Sequence, residues 1–127
     1  MAKWVHTDVL DNGLLYIKNN CNKVILASTY TSGDSYATVN GNNLADAAMV
    51  SGDFTLSGSS SRVLTTASGK QDTAANASGG GASMHICFVD TVNSKVLWVT
   101  DETSDQTITI GNPVTFPSLT YTANQPT

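Results

Sequence analysis

"SMHICFVDTVNSKVLWVTD", residues 83–101, is the stretch that decides the fold. Two runs rich in Val, Ile, Phe and Trp, residues 83–90 and 94–101, flank the short polar connection "TVN". β-Branched and aromatic residues favour strands, and a short connection between two such runs is typical of an antiparallel hairpin. The sequence therefore predicts a β-hairpin at this point.

Further short strands are predicted on both sides of this hairpin, at a spacing of about ten residues and with turn signals such as "NGNN" between them. The segment "LADAAMV" also fits a helix, but the turn signals that bracket it closely favour a strand. Prolines 113 and 117 suit a terminal or edge strand, because proline cannot donate to a ladder. The predicted strands cover 23–29, 34–40, 44–50, 53–57, 61–67, 71–77, 106–111 and 113–123.

A helical pattern is strongest near the beginning of the chain, in residues 7–20. Thr7 or Asp8 can cap the first turn, and Leu10, Leu14 and Ile17 follow at helical spacing on one face. Gly13 weakens the interior of this segment by about 1 kcal/mol. One short N-terminal helix is therefore expected.

The 127 residues fit a single β-rich domain. Residues 1–6 are expected to form an N-terminal arm and residues 124–127 a loose tail, while the glycine-rich residues 78–82 are too short for a linker and indicate a loop tip. Regularly spaced strands with turns between them are typical of all-β folds. The predicted fold is mainly β, an antiparallel β-sandwich or barrel with one short N-terminal helix.

Charge is scarce in this chain and hydroxyl groups are abundant. Charged residues make up 13% of the sequence, whereas Ser, Thr and Asn account for 42 of its 127 residues. Short hydroxyl side chains lose little rotamer entropy when ordered, so this composition suits sheets, turns and close contact with another surface. The net charge is −4 and Lys and Arg are scattered singly, which argues against binding to nucleic acid.

Targeting signals are not found in the sequence. No apolar run reaches the ~20 residues of a membrane span, and "MAKWVHTDVLDNG" lacks the apolar region of a signal peptide, so synthesis and folding in a cytoplasm are expected. Cys21 and Cys87 lie far apart and form no CxxC pair. Because disulfides are rare in the cytosol, two reduced thiols are favoured, and a Cys21–Cys87 bridge is the alternative.

Catalytic, metal and cofactor motifs are also missing from the sequence. His85 and Cys87 share one face of a predicted strand, but a tetrahedral zinc site needs more ligands than Cys21 and His6 supply. The acidic residues lie mostly in predicted turns, and "TDETSD" lacks the alternating ligands of a calcium loop. We therefore predict no catalytic residues, no metal and no cofactor.

Trp4 and His6 are the candidate partner-contact residues. Trp4 lies in a polar N-terminal stretch, where a free chain end would leave an indole exposed; the alternative is that it packs back on its own domain. Trp98 lies in "KVLWVT", where strand alternation places Val96 and Trp98 on one face and Leu97 and Val99 on the other. That position favours a role in the core or an interface over stacking on a sugar.

The order of these segments resembles a family of small virion proteins of tailed bacteriophages. The likeness lies in "MAKWVHTDVLDNGLLYIKNN", "SGDFTLS", "HICFVDTVNSKVLWVTDET" and "GNPVTFPSLTYT". It covers most of the chain but includes no catalytic signature. Within that family the chain is most like a capsid decoration (cement) protein.

The resemblance implies a non-enzymatic protein that binds between major capsid subunits at the capsid surface of the virion. A protein with few mobile charged side chains loses little entropy on docking, which suits this role. Symmetric shells favour cyclic oligomers, so a homotrimer or another cyclic homo-oligomer is expected. The alternative is a phage tail or surface adhesin that binds host glycan, and a small hydrolase is a third hypothesis.

Overall fold

The computed structural model describes residues 4–5, 13–58 and 62–123. They form a mainly β structure in which all strand pairs are antiparallel, as predicted. The elements are β1 (Trp4–Val5), α1 (Leu14–Asn20), β2 (Lys23–Ala27), α2 (Tyr36–Gly41), β3 (Asn43–Ala48), β4 (Phe54–Ser57), β5 (Arg62–Thr66), β6 (Lys70–Asp72), β7 (Gly79–Gly80), β8 (His85–Asp90), β9 (Lys95–Asp101), β10 (Thr107–Ile108), β11 (Val114–Phe116) and β12 (Thr120–Ala123).

None of the helices in the described ranges is long and apolar enough to cross a membrane.

The hairpin predicted from residues 83–101 is confirmed and lies inside the largest sheet. This sheet has the strand order β1-β9-β8-β2-β3, so β8 has a neighbour on each side. All six residues of β8 are buried, and so are four of the five residues of β2. Side chains point alternately to the two faces of a strand, so burial of every residue means that both faces of the sheet are covered.

The first face of this sheet holds the larger hydrophobic cluster. Phe88 and Leu26 contribute to it from the sheet, Ile17 comes from α1, and Phe54 and Leu64 come from a second, three-stranded sheet with the order β12-β5-β4. The rings of Phe54 and Phe88 meet edge to face, with centroids 6.2 Å apart. Side chains of the three-stranded sheet and α1 therefore cover this face. The choice between a sandwich and a barrel stays a prediction.

The second face is covered by the chain between β2 and β3. Val39 of α2 and Tyr30 pack there against Ile25, Cys87 and Val99, and this group is a separate cluster of buried residues. A single strand such as β2 thus supplies alternate residues to two cores.

A β-bulge in β9 contradicts the predicted orientation of its side chains. Phe88 pairs with Trp98 but Val89 pairs with Val96, so Leu97 is an extra residue in β9. A bulge resets the alternation of a strand. Leu97 and Trp98 consequently both join the first cluster. The prediction that Val96 and Trp98 share a face was wrong because a bulge leaves no mark on the apolar pattern.

Helix α1 occupies the second half of the segment predicted to be helical. It begins at Leu14 after Gly13, which has φ 72°. A residue at positive φ interrupts an α-helix, and glycine adopts that conformation at little cost. Leu14 and Ile17 face the core as predicted. Residues 7–12, with the predicted caps Thr7 and Asp8, lie outside the described residues.

Residues 36–41 form a helix where a strand was predicted. Ser35 caps helix α2, since its side-chain oxygen accepts a hydrogen bond from the Thr38 N–H at 3.2 Å. Val39 is the one buried residue of this helix. The apolar pattern of six residues is too short to distinguish a helical turn from a strand, whereas the cap and the packing of Val39 in the second cluster both favour the helix.

The glycine-rich segment predicted to be a loop tip contains strand β7, which pairs with β10. Gly80 has φ 143°, and a Cβ atom there would collide with the backbone of Gln106 and Thr107. Because Gly80 has no side chain, strands β7 and β10 can approach each other this closely. The predicted edge strand at 113–123 is divided by Pro117 into β11 and β12.

The predicted N-terminal arm at residues 1–6 is described only at residues 4–5, and the predicted tail at 124–127 lies outside the described residues.

Asp53 fixes the connection between β3 and β4. Its carboxylate accepts hydrogen bonds from the Val50 N–H at 2.9 Å and from Lys70 Nζ at 3.0 Å. Burial by itself would raise the pKa of Asp53, but the hydrogen bonds from Val50 and Lys70, together with the charge of Lys70, outweigh it and hold this pKa below its usual range. The folded state therefore favours the ionised carboxylate.

Truncating Phe88 should strongly destabilise the protein. Phe88 is 2% exposed and stacks on Trp98 with ring centroids 4.6 Å apart, so the change Phe88→Ala leaves a cavity in the first cluster. We expect a loss of about 3–5 kcal/mol in the free energy of unfolding, measured by urea denaturation. The control is Val92→Ala at the hairpin turn, where the side chain is 81% exposed. It should change stability by less than about 0.5 kcal/mol. Equal effects of the two changes would contradict this packing.

Replacing Asp53 by Asn should remove a pH-dependent contribution to stability. Since the pKa is lower in the folded protein than in the unfolded chain, the stabilisation is present above the unfolded value of about 3.9 and is lost as pH falls through the folded value. Urea denaturation at pH 7 should show Asp53→Asn to be less stable by about 1 kcal/mol. The difference should shrink below about pH 4. A difference that stays constant down to pH 2 would show that charge on Asp53 is not its origin.

Candidate functional site

A surface groove lies where β1 and β9 of the five-stranded sheet approach β12 of the three-stranded sheet. Its volume is about 340 Å³, near the lower end of the range of about 300–1,000 Å³ for small-molecule sites. The residues that line it are Trp4, Trp98, Val99, Thr100, Thr120, Tyr121 and Thr122. Residues from the two ends of the described chain thus meet at one place.

Three aromatic side chains form the apolar part of the groove. Trp98 is only 5% exposed, because two other rings cover it. It stacks in parallel on Phe88, and it meets Tyr121 edge to face, with ring centroids 5.6 Å apart and an angle of 88° between the ring planes. Trp98 is therefore part of the core as well as the floor of the groove. Trp4 and Tyr121 are half-buried, so part of each ring faces the groove.

The polar part of the groove consists of neutral hydroxyl groups. Thr120 and Thr122 are exposed and Thr100 is half-buried. A tyrosine hydroxyl is neutral at physiological pH, and burial raises the pKa of Tyr121 further from that range. Among the described residues that line it, none is a carboxylic acid, a basic side chain or a thiol, so these residues provide apolar surface and hydroxyl groups for hydrogen bonds.

Trp4 lies within the fold and at the groove at the same time. It pairs with Val99 in the five-stranded sheet and packs against the second cluster. The sequence left two alternatives, an exposed anchor or packing on its own domain. Trp4 does pack on its own domain, and because its ring is only half-buried, part of the ring surface can still contact a partner. The other candidate, His6, lies outside the described residues. The role of both residues in binding a partner stays a prediction.

His85 is buried at the far end of β8 from the hairpin turn. Its Nδ1 lies 2.8 Å from the Ser83 carbonyl oxygen and its Nε2 lies 3.4 Å from Asp101 Oδ1. The ring of Tyr30 contacts it, with centroids 5.7 Å apart. The described residues include no group of three or more His, Cys, Asp or Glu side chains arranged to hold a metal ion. The surroundings of His85 thus consist of strand neighbours and a buried tyrosine.

The two cysteines are free and lie on opposite faces of the five-stranded sheet. Cys21 belongs to the first cluster and Cys87 to the second, so a layer of strands separates their sulfur atoms. Burial raises the pKa of each thiol to about 12. A protonated, buried thiol is a poor nucleophile, and the geometry excludes the alternative of a Cys21–Cys87 bridge.

Sequence reasoning missed the contribution of β12 to this groove. Tyr121 and the threonines beside it lie more than a hundred residues after Trp4, and no spacing in the sequence connects them. The one available signal was the pair of prolines at 113 and 117, which predicted an edge strand.

No family model, no curated protein and no solved structure matches this chain.

The thiols should be unreactive in the folded protein. Because Cys21 is 3% exposed and Cys87 is fully buried, a disulfide reagent such as DTNB at pH 8 should label neither thiol within minutes. In a denaturant both should react at once, since an exposed cysteine has a pKa of about 8.5. Rapid labelling of the native protein would contradict the buried placement. The variant Ser57→Cys, at an exposed position of β4, is the positive control.

Proposed function

We propose that this chain is a non-enzymatic structural protein of a tailed-phage virion that binds between major capsid subunits and stabilises the shell. Its place would be the outer surface of the capsid. The single observation that carries the proposal is the groove lined by Trp4, Tyr121 and the threonines beside them. The described residues of that groove offer apolar surface and hydroxyl groups, which suit a contact surface, and include no side chain for acid–base or thiol chemistry.

The behaviour of the charged side chains also supports this function. Lys18 donates to the carbonyl oxygens of Ser51 and Phe54, and Lys23 and Lys70 each pair with an aspartate at about 3 Å. Side chains that are already held in place lose little further entropy when a partner covers them. Such a surface therefore loses little side-chain entropy when it becomes part of an interface.

The architecture supports attachment to a repeating lattice. Two clusters on opposite faces of one sheet make the domain rigid, so it can present one shape to many equivalent sites. Symmetric lattices favour cyclic assemblies, and a homotrimer is the oligomer that we propose.

A second candidate function is that of a tail or surface adhesin that binds host glycan. The same groove favours it, because aromatic rings stack on the apolar faces of sugars and threonine hydroxyls bond to sugar hydroxyls. Immunogold labelling of virions separates the two functions. Gold over the capsid supports decoration, and gold confined to the tail tip supports the adhesin.

Binding to capsids should depend on Trp4. We expect that the purified protein binds capsids of the phage that encodes it, once these lack the protein, and raises their melting temperature in differential scanning calorimetry. Trp4→Ala should weaken this binding, since it removes one wall of the groove. Val92→Ala is the matched control, because Val92 lies at the opposite end of the hairpin from the groove. If capsids melt identically with and without the protein, decoration is excluded.

A further inference from the structure

The outer edges of β3 and β4 are each blocked by a side chain from another part of the protein. On β3 the Asp46 N–H donates outward to the Asp72 carboxylate at 2.9 Å. On β4 the carbonyl oxygen of Phe54 accepts a hydrogen bond from Lys18 Nζ at 2.7 Å. Blocking of this kind prevents other chains from adding to a sheet.

The outer edge of β12 differs from these edges. The Thr66 N–H donates to the Leu119 carbonyl oxygen at 2.9 Å, so position 119 faces β5. In an antiparallel pair the backbone groups of successive residues alternate between the two sides. The N–H and C=O groups of Thr120 and Thr122 therefore point away from β5, and within the described residues β12 pairs with no other strand.

None of the residues that usually protect an edge is found in β12. Thr120–Ala123 contains no charge and no proline, and its threonines favour the extended conformation. The groove runs beside this edge, and the described residues that line it carry no charge either. An occupant that pairs with the edge would place its own side chains against Trp4 and Tyr121.

We propose that β12 accepts an extended, uncharged segment of a major capsid subunit as an additional strand, with an apolar side chain of that segment in the groove beside Trp4 and Tyr121. This inference rests on the proposed function and specifies its contact. A strand edge recognises any extended backbone, while the neutral groove selects against charged side chains. The four residues of β12 span about 14 Å, so the added strand is short. In the proposed homotrimer three such contacts would be linked, so each of them can be small.

The test uses two variants that both lack the threonine hydroxyl and differ in whether the backbone N–H is kept. Thr122→Pro removes an outward N–H without removing a bond to β5, and Thr122→Val keeps the N–H but removes the hydroxyl. We expect Thr122→Pro to bind capsids about tenfold more weakly than wild type and Thr122→Val to bind within about twofold. Circular dichroism and thermal melting of both variants establish that they are folded.

A second measurement needs no substitution. In the wild-type protein bound to capsids, hydrogen exchange at the amides of Thr120 and Thr122 should slow by at least about tenfold relative to the free protein, since both become hydrogen-bonded. The amide of Val63, on the neighbouring strand of the same sheet, is the internal reference.

Several outcomes would overturn the inference. Capsid binding without slower exchange at Thr120 and Thr122 leaves the decoration function standing and excludes strand addition. If Thr122→Val and Thr122→Pro lose equal amounts of capsid binding, the contact is made by the hydroxyl and not by the backbone N–H, as expected for a glycan ligand. Self-association of the protein without capsids, abolished by Thr122→Pro, makes a second copy the occupant. Failure of the wild type to bind capsids at all removes the proposed function and the partner named here.

Discussion

Burial of β8 and β9 on both faces is the constraint on which the rest of the structure depends. Every residue of β8 is covered, so the chain must supply a layer on each side of the sheet. The three-stranded sheet and α1 form one layer, and Tyr30 with helix α2 forms part of the other. Apolar area removed from water is the main source of stability, which explains why a chain with so few charges folds around this hairpin.

The bulge at Leu97 connects that core with the surface site. By placing Leu97 and Trp98 on the same face, it lets Trp98 stack on Phe88 while its edge reaches the ring of Tyr121. The groove is thus an extension of the first cluster to the surface. Its shape is held by packed rings, and a partner would meet a surface that is already formed, which lowers the entropy lost on binding.

Reactive polar groups and hydroxyl groups occupy different parts of the structure. Potentially reactive side chains such as Cys21, Cys87 and His85 lie inside the fold, whereas hydroxyl groups line the exposed strand β12. Among the described residues, none of these three side chains lines the groove.

The sequence by itself determined the mainly β class, the central hairpin, the core face of α1 and the edge character of the last strands. These features follow from local periodicity and from proline, which act over a few residues. Only the tertiary structure decided the bulge, the capped helix α2, the strand at Gly79–Gly80 and the groove between Trp4 and Tyr121. The bulge, the strand at Gly79–Gly80 and the groove depend on contacts between segments that are distant in sequence, and the order of residues carries no direct record of such contacts. Helix α2 depends on the packing of Val39 in the second cluster, because its six-residue apolar pattern fits a strand equally well.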